Sequence, residues 1–456
     1  MEASHYYQRI RDRLPNCFQF SDYVVATGRE LVAEGASAAF PAVAEPLQRL
    51  EHLTVERGLQ VHIPVLGARS RSVLMPLDVE IYLGPDNHRL YESAATQRHL
   101  FLKVLPLARF LETLLRTRGM PYLLDYTPSG AHILFQNVLG YRATTAVQAI
   151  GHLEDDLVAA CLFVDPGDIR RRHGVSLDAA RVFSGLGRLA EYMALLAMAS
   201  LPPGDSSDPL PITIGDAEKR CLNFDNSWSE GSPFMRCIRS PFSLHKKNRE
   251  NYGQSGQPPL VDVIGTYFDG SVADAEEDID VLLSAMWDMP KAADHAMRFS
   301  GFIPCSNETM IDFVEEYKRS DLFAFHQDFD RQEALPRGSA VARARRETRI
   351  GNATQDALWA PNPAALQPER IMAMVDDFLF QAQWKPKHIA DVFRDLYQDP
   401  AFAWEQDFFK YPAETKANFW VRTYSAVLLG KKGQLKISAS NKSAGTVGFK
   451  KQDRTS

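Results

Sequence analysis

The sequence has few of the features that place a protein in a membrane, outside the cell or around a structural metal. No apolar run in its 456 residues reaches the length that crosses a bilayer. The opening residues, Met-Glu-Ala-Ser-His-Tyr-Tyr, lack the charged and then apolar pattern of a secretory signal. The five cysteines are scattered and never paired at the spacing of a zinc ribbon. We therefore predict a cytoplasmic protein with reduced thiols, no zinc and no membrane partner.

An excess of positive charge is also missing. Lys and Arg number 51 against 57 Asp and Glu, for a formal net charge of −6, which excludes a surface that is coated all over by nucleic acid. A polyanion must therefore meet a local basic patch. Residues 337–349 hold five arginines against one glutamate, and the tail after residue 430 holds seven basic residues against one aspartate. Both a solvated linker and a nucleic-acid contact fit the first of these segments.

Length and hydrophobic periodicity predict several structural units. A chain of 456 residues exceeds the usual size of one core, and apolar residues three or four apart predict helices at 7–14, 23–34 and 42–57. The predicted units are a helical N-terminal segment at 1–57, an α/β domain at 58–268, a helical extension at 269–335, a basic linker at 336–365, a helical module at 366–429 and a basic disordered tail at 430–456.

The α/β domain is predicted from a change of period after residue 57. Apolar, β-branched runs predict strands at 58–66 and 72–83, and a helix at 96–118 ends before Gly119. The turn Thr127-Pro128-Ser129-Gly130 joins two further strands into a hairpin. Two helical segments follow, at 143–163 and 177–200, and strands resume at 211–214, 220–224, 235–238 and 260–268. The expected fold class is α/β (α+β) with mixed or antiparallel sheets.

Acidic residues follow two of these strands. Asp78 and Glu80 are two residues apart, so both carboxylates point to one face of a strand. A divalent cation relieves the repulsion between such acids, and hard oxygen ligands favour Mg²⁺ or Mn²⁺. Asp225 follows another apolar strand and could complete a set of three carboxylates. Asp225-Asn226-Ser227 is equally good turn chemistry, so both roles stay open.

Groups that suit phosphate occur in two places. His132 follows Gly130 at the hairpin, where glycine lets an anion approach the backbone and imidazole can donate to it, with the Ser129 hydroxyl nearby. Residues 238–247 read Ile-Arg-Ser-Pro-Phe-Ser-Leu-His-Lys-Lys. This stretch offers a guanidinium, a hydroxyl, an imidazole and ammonium groups. The alternatives are a satisfied core histidine in the first place and an ordinary surface strand in the second.

In this order, the pieces resemble the archaeo-eukaryotic primase superfamily, the primase-polymerases of small primase subunits, mobile elements and repair enzymes. The matched pieces are an Asp-x-Glu, a small-x-His, a hydrophobic-Asp pair and an Ile-Arg-x-Pro-x-Ser-Leu-His-x-Lys stretch, at 78–80, 130–132, 224–225 and 238–247. The resemblance covers residues 60–268. It implies a primase-polymerase catalytic core with an RRM-like module.

The resemblance also implies a role for each matched residue. Asp78, Glu80 and Asp225 would bind two catalytic Mg²⁺ or Mn²⁺ ions. The residues implied to bind the nucleoside triphosphate are Ser129, Gly130, His132, Arg239, Ser243, His245 and Lys247.

The activity implied is that of a DNA primase or polymerase, which transfers nucleotides from nucleoside triphosphates to a 3′-hydroxyl on a single-stranded DNA template. De novo primer synthesis is one form of this activity. The alternatives are a repair or gap-filling polymerase that does not prime, and a catalytically inactive template-binding or initiator subunit. A helicase or another replication or defence protein is the kind of partner that such a chain would have.

Overall fold

The main sheet has six strands, in a computed structural model that describes residues 1–28, 31, 41–66, 71–201, 210–215, 220–231, 236–246, 258–270, 278–360, 368–402 and 412–437. The strands are β4 (Ser72–Tyr82), β5 (Tyr122–Thr127), β6 (Gly130–Val138), β7 (Ile212–Ile214), β8 (Cys221–Asp225) and β12 (Val263–Phe268). Their spatial order is β12-β5-β6-β4-β8-β7. β7 and β8 run parallel, whereas the other neighbours are antiparallel. The predicted hairpin and the mixed α/β class are thereby confirmed.

A second sheet includes the N-terminal residues. Its strands are β1 (Tyr23–Thr27), β2 (Ala42–Pro46), β3 (Gln60–Pro64) and β9 (Cys237–Arg239), in the order β2-β1-β3-β9. The helices predicted at 23–34 and 42–57 are therefore wrong over β1 and β2. Tyr-Val-Val-Ala-Thr in β1 is rich in β-branched and aromatic residues that suit a pleated sheet. Pairing with β3 joins residues 1–57 to the predicted α/β domain.

The described residues also form a third, two-stranded sheet and the α-helices. The short strands are β10 (Leu244–His245) and β11 (Leu260–Val261). The helices of the first part of the chain are α1 (Ala3–Arg9), α2 (Ala94–Arg116), α3 (Arg142–Gln148), α4 (Asp155–Leu162) and α5 (Leu177–Ser200). Those of the second part are α6 (Ile279–Met286), α7 (Met289–Ala296), α8 (Asn307–Lys318), α9 (Asp321–Arg331), α10 (Ser339–Ala344), α11 (Asn352–Trp359), α12 (Pro368–Asp376), α13 (Pro386–Gln398) and α14 (Ala413–Lys431).

Helices α2 and α5 pack on the central strand of the main sheet. Both contact β4, and their buried leucines, alanines and valines form the main core with the apolar face of the sheet. Helix α2 begins where the Ser93 hydroxyl accepts the N–H of Thr96, and the chain turns at Gly119, whose φ is +62°. These helices fix the sheet that carries the polar side chains described below.

The C-terminal helices have a core of their own, and this core includes the predicted linker. Residues 336–365 contain α10 and α11, whose Ala340, Val341 and Leu358 are buried against α12, α13 and α14. The prediction of a linker is therefore wrong over these two helices. Arginines dominate the charged residues of the segment, but the small and apolar residues between them pack inwards. The tail from residue 438 lies outside the described residues.

One helix meets the length and composition of a membrane span. Leu177–Ser200 is 24 residues long, and 83% of its most apolar window is buried inside the protein. This is the burial of a core helix, although the sequence was expected to contain no run of that length. Within the described residues, no other helix passes the same test. Cys17, Cys161 and Cys237 carry free thiols, in line with the reduced state expected from the sequence.

Candidate functional site

Four ionisable side chains form a row across four neighbouring strands. Asp125 on β5 is the register partner of His132 on β6, and His132 is also the partner of Asp78 on β4. Asp78 is in turn the partner of Asp225 on β8. Partners on neighbouring strands point to the same face of a sheet, and Glu80, two residues after Asp78, shares that face. The three acids identified in the sequence therefore converge.

The carboxylates of this row repel one another around a buried centre. Burial is the main reason that the pKa of Asp78 lies well above its ordinary value. The carboxylates of Glu80 and Asp225 raise this pKa further, while the His132 imidazole lowers it. Among the described residues, Asp78 Oδ1 has no hydrogen-bond partner. A set of three oxygen donors with an excess of negative charge fits a hard divalent cation.

Asp225 has a second role at the end of β8. Its Oδ1 accepts the N–H of Ser227 at 2.8 Å, which is an Asx turn. Asp225 therefore forms the turn that the sequence also allowed, and it lies opposite Asp78 as well. The local turn fixes the Asp225 carboxylate beside the row.

His132 lies between two carboxylates. Its Nδ1 is 3.5 Å from Asp125 Oδ2, and its Nε2 is 3.7 Å from Asp78 Oδ1. Burial lowers the pKa of His132, but the charges of Asp125 and Asp78 outweigh burial and raise the pKa to about 9. The imidazole is therefore cationic at neutral pH, and both of its nitrogens can donate to an anion.

Arg239 brings a second cation to the row from the other sheet. It ends β9, and its Nη1 is 3.6 Å from Oδ2 of Asp262, which stands between β11 and β12. Asp262 is fully buried. Burial raises the pKa of Asp262 to about 7, although Arg239 opposes this rise. The Arg239 charge also lowers the pKa of Asp78, so the two sheets meet at this cluster of charges.

The N-terminal helix holds the turn that follows Arg239. Tyr6 donates its hydroxyl hydrogen to the carbonyl of Phe242 at 2.8 Å, and the N–H of Leu244 donates to the Tyr7 hydroxyl at 3.1 Å. Phe242 has a φ of +66°, a left-handed conformation that a residue with a side chain adopts only when its surroundings impose it. The two buried tyrosines thus fix the backbone beside Arg239.

The other residues implied for the nucleotide have more local contacts. Ser243 is fully buried, and its Oγ accepts the N–H of Val61 at 2.9 Å. The ring of His245 stands edge-on to Tyr91 with the ring centroids 6.0 Å apart. The carbonyl of Ser129 accepts the N–H of Ile81. Ser243 therefore connects strands rather than facing the row, and Lys247 lies outside the described residues.

Gly130 is required by the close approach of β6 to β4. A Cβ at this position would lie 1.8 Å from the carbonyl oxygen of Val79. Because no side chain fits, the hairpin can bring His132 directly opposite Asp78. Gly130 thus has a packing role that shapes the site.

A second group of potential metal ligands adjoins the row. Asp125, His132 and Asp262 are buried, and each offers a ligand atom that lies within 4.8 Å of the others. This group could hold a metal ion. Within the described part of the chain, neither Asp125 nor Asp262 has a hydrogen-bond partner for its carboxylate. Two cations, His132 and Arg239, already lie against these carboxylates.

Sequence reasoning missed Asp125 and Asp262. Each is a single acid in an apolar strand segment, and neither belongs to the motifs that suggested the other site residues. The available signal was their hydrophobic context, because an acid flanked by buried apolar residues must have a partner of opposite charge. Asp125 and Asp262 thus extend the site beyond its predicted members.

No protein-family model matches the sequence, and neither a curated protein nor a solved structure matches the chain.

Proposed function

We propose that this chain is a template-directed nucleotidyltransferase of the primase-polymerase type. The observation that carries the proposal is the convergence of Asp78, Glu80 and Asp225 on one face of the main sheet, beside the cations of His132 and Arg239. In this reaction a 3′-hydroxyl attacks the α-phosphorus of a nucleoside triphosphate, and pyrophosphate leaves. The carboxylates suit the metal-assisted half of this chemistry, and the cations beside them suit the binding of phosphate.

Two Mg²⁺ or Mn²⁺ ions fit the three carboxylates of Asp78, Glu80 and Asp225. Their donors are oxygen atoms with an excess of negative charge, and one buried oxygen of Asp78 lacks a hydrogen-bond partner among the described residues. Asp78, Glu80 and Asp225 would hold the ions. When bound there, such ions activate the attacking hydroxyl and stabilise the leaving oxygen. The Asx turn at Asp225 limits the movement of one of these ligands.

His132 and Arg239 would bind the triphosphate. Both are buried or nearly so, and both are paired with a carboxylate at more than 3.4 Å, which is longer than a hydrogen bond between charged groups. Among the described residues, their donors are therefore only partly satisfied. Cationic donors that are fixed before the substrate arrives stabilise charge that develops on phosphate oxygens. Neither contact depends on the base, so the template would select the nucleotide.

Single-stranded DNA is the proposed template, and a surface suited to it lies where α10 and α11 end. Arg345 lies over the ring of Trp359 at 4.5 Å, and Arg343 lies over the ring of Trp384 at 4.8 Å. The Trp359 side chain is 62% exposed. An exposed indole beside guanidinium groups can stack on a base while the charges contact the backbone. The basic segment would thus be a folded template contact.

Nucleotide incorporation on two substrates tests the proposal. The purified chain is incubated with Mg²⁺ or Mn²⁺ and with ribo- or deoxynucleotides, on a primed template and on unprimed circular single-stranded DNA. We expect template-dependent products that disappear in Asp225→Asn. Products on both substrates indicate a primase-polymerase, and products on the primed template alone indicate a gap-filling polymerase. Equal incorporation by Asp225→Asn would overturn the metal assignment.

A catalytically inactive template-binding subunit is the competing function. One observation favours it, because the Asx turn gives Asp225 a use that needs no metal. Such a protein would bind single-stranded DNA and incorporate nothing with either ion. Full DNA binding without nucleotide incorporation would therefore favour the template-binding subunit over the enzyme.

A further inference from the structure

Asp125 and Asp262 are buried acids that the proposed chemistry does not use. Both are completely buried, and among the described residues neither carboxylate accepts a hydrogen bond. Moving a charged carboxylate out of water costs several kcal/mol unless a partner of opposite charge compensates. Two such acids side by side therefore require groups that compensate the cost of burying each carboxylate.

Each of these acids faces one of the two cations of the site. Asp125 Oδ2 is 3.5 Å from Nδ1 of His132, which leaves Nε2 on the side of Asp78 and the other acids. Asp262 Oδ2 is 3.6 Å from Nη1 of Arg239. The result is two carboxylate–cation pairs that lie side by side. In each pair, the carboxylate is more deeply buried than its cation.

The backbone fixes both pairs. Asp125 and His132 are register partners in the hairpin of β5 and β6. The N–H of Phe242 donates to the carbonyl of Asp262 at 3.1 Å, and the N–H of Asp262 donates to the carbonyl of Ser243 at 3.0 Å. Asp262 is thereby tied to the turn that follows Arg239. These backbone contacts hold the main chain of each acid opposite its cation.

We propose that Asp125 and Asp262 are positioning residues, which keep the donor groups of His132 and Arg239 aimed at the triphosphate. This inference rests on the proposed function, because it needs a nucleoside triphosphate at the row. Asp125 holds Nδ1 of the imidazole, so that Nε2 is presented to the substrate. Asp262 restrains one Nη of the guanidinium, so that its other donors remain for phosphate oxygens. A carboxylate behind a histidine fixes the orientation of the ring in the same way at many metal and catalytic sites.

A metal ion between the same acids is the rival occupant. Asp125, His132 and Asp262 offer ligand atoms within 4.8 Å of one another. We favour the cations of the protein, because Arg239 already neutralises Asp262 and an added divalent ion would lie close to the guanidinium. Elemental analysis of the purified chain distinguishes the two. One metal ion per chain that is lost in both Asp125→Asn and Asp262→Asn, yet kept in Asp225→Asn, would overturn the positioning role.

The main test is a pair of double-mutant cycles that measure nucleotide KM and kcat separately. Asp125→Asn and Asp262→Asn keep the shape of the side chain and remove its charge. We expect each to raise KM about 10-fold, as when a charge-assisted contact is lost, with a smaller change in kcat. Asp125→Asn should add less than about 2-fold in a His132→Gln background, because its partner is already gone. Asp262→Asn should behave in the same way in an Arg239→Gln background.

Crossed combinations and a matched control separate positioning from folding. Asp125→Asn should keep most of its effect with Arg239→Gln, because the two residues belong to different pairs. Asp330→Asn removes a largely buried carboxylate that does not belong to the row and that accepts hydrogen bonds from Arg188 at 2.7 and 2.8 Å. We expect this control to lower the melting temperature and leave KM unchanged. If Asp125→Asn behaves like the control, or if its effect adds fully to that of His132→Gln, the inference is wrong. If Asp125→Asn does not fold, Asp125→Glu replaces it in the same cycle, because glutamate keeps the charge. A raised KM in Asp125→Glu that does not depend on His132 would contradict the inference.

Equilibrium binding distinguishes failure of the inference from failure of the proposed function. A fluorescent nucleoside triphosphate is titrated with Mg²⁺ into each variant, which requires no incorporation. Wild-type incorporation together with unchanged binding in both Asn variants refutes the positioning role alone. Wild-type binding without incorporation refutes the enzyme, while the same cycles measured on binding still decide the positioning role. Absence of nucleotide binding in the wild type overturns both.

Discussion

The row of Asp125, His132, Asp78 and Asp225 has one cation among three acids. Adjacent carboxylates that are held together by the register of a sheet reduce stability, because each raises the free energy of the other. Proteins retain such repulsion where a ligand relieves it. The raised pKa of Asp78, caused first by burial and then by its acidic neighbours, is the electrostatic sign of that arrangement.

Replacing one acid of the row should therefore separate activity from stability. Asp225→Asn keeps an oxygen that can accept the Ser227 N–H, but it removes a charge beside Asp78. We expect incorporation to fall at least about 100-fold, and the free energy of unfolding to stay equal or rise by about 1 kcal/mol. Urea denaturation and primer extension measure the two. Asp225→Ala also loses the turn hydrogen bond and should be less stable than Asp225→Asn by about 1 kcal/mol. A large loss of stability in the Asn variant contradicts this account.

Gly130 is the residue whose size matters most for the hairpin. A methyl group there would lie 1.8 Å from the Val79 carbonyl oxygen, so Gly130→Ala must displace β6 from β4. We expect a loss of about 3 kcal/mol or more in unfolding free energy. Gly140→Ala is the matched control, because a Cβ there meets nothing within 4 Å and only the φ of +86° opposes it. That control should cost about 1 kcal/mol, and equal losses in both variants would refute the steric argument.

At the residue scale, the sequence identified site residues where several polar or charged groups occur close together in a motif. Asp78 and Glu80 were identifiable because two acids end an apolar strand, and Arg239 because it opens a run of phosphate-binding groups. Asp125 and Asp262 were not, since a single acid carries no sign of what lies opposite it. Ser243 matched a motif, yet its hydroxyl accepts a hydrogen bond from the backbone of Val61 inside the fold. Which face a side chain occupies depends on register, and register is a property of the folded sheet.

At the scale of elements, local signals and non-local pairing account for different parts of the fold. The β5–β6 hairpin was predictable because the turn Thr127-Pro128-Ser129-Gly130 has strong chemistry of its own. Strands β1 and β2 were assigned to helices because their apolar spacing also fits a period of 3.6 residues. In the fold, β1 is a strand because it pairs with β3, whose residues lie more than thirty positions later in the chain. No window of local sequence contains that partner.

Helices α10 and α11 should contribute to template binding as a unit. Trp359→Ala removes the exposed ring over which Arg345 lies. We expect affinity for a fluorescent single-stranded oligonucleotide to fall about 10-fold at fixed salt, because one base–aromatic stack is lost. Phe163→Ala is the control, since that ring is also exposed (54%) and also has an arginine, Arg171, at 5.9 Å. If both variants bind as tightly as the wild type in anisotropy titrations, α10 and α11 are not the template surface.

At the scale of the molecule, a buried polar network connects the main core to the C-terminal helices. Glu191 on α5 lies 3.3 Å from His326 on α9 and 3.3 Å from Arg422 on α14. Burial lowers the pKa of His326 to about 4, although Glu191 opposes this. Burial also opposes ionisation of Glu191, but His326 and Arg422 outweigh it and lower its pKa to about 2. At neutral pH the network therefore contains a neutral imidazole and an ionised carboxylate.

The network should make the protein sensitive to acid. Both pKa values are lower in the folded chain than in the unfolded one, so the unfolded state binds more protons as pH falls. The His326 contribution is complete above about pH 6.5 and is lost towards pH 4, and that of Glu191 is complete above about 4.5 and is lost towards pH 2. The raised pKa values of Asp78 and Asp262 act in the opposite sense, because these carboxyls take up protons in the folded state first. The contribution of His326 is therefore read from the difference between the wild type and His326→Gln, since both chains keep the two acids. We expect the wild-type urea midpoint to lose more, or gain less, between pH 6.5 and 4 than that of His326→Gln, and parallel pH profiles would exclude a contribution of His326.

The order of strands in the main sheet also determines when the site can exist during synthesis. Asp78 on β4 leaves the ribosome early, whereas its neighbour Asp225 on β8 and the more distant Asp262 follow only after α5. Chains are made at about 5–20 residues per second, so a nascent chain carries unpaired acids for several seconds before their partners appear. A ribosome-bound fragment that stops before β8 thus has the first motif but no binding site. Under the proposed function, nucleotide and metal would bind the row only after the whole sheet has been synthesised, which would tie the onset of activity to the completion of folding.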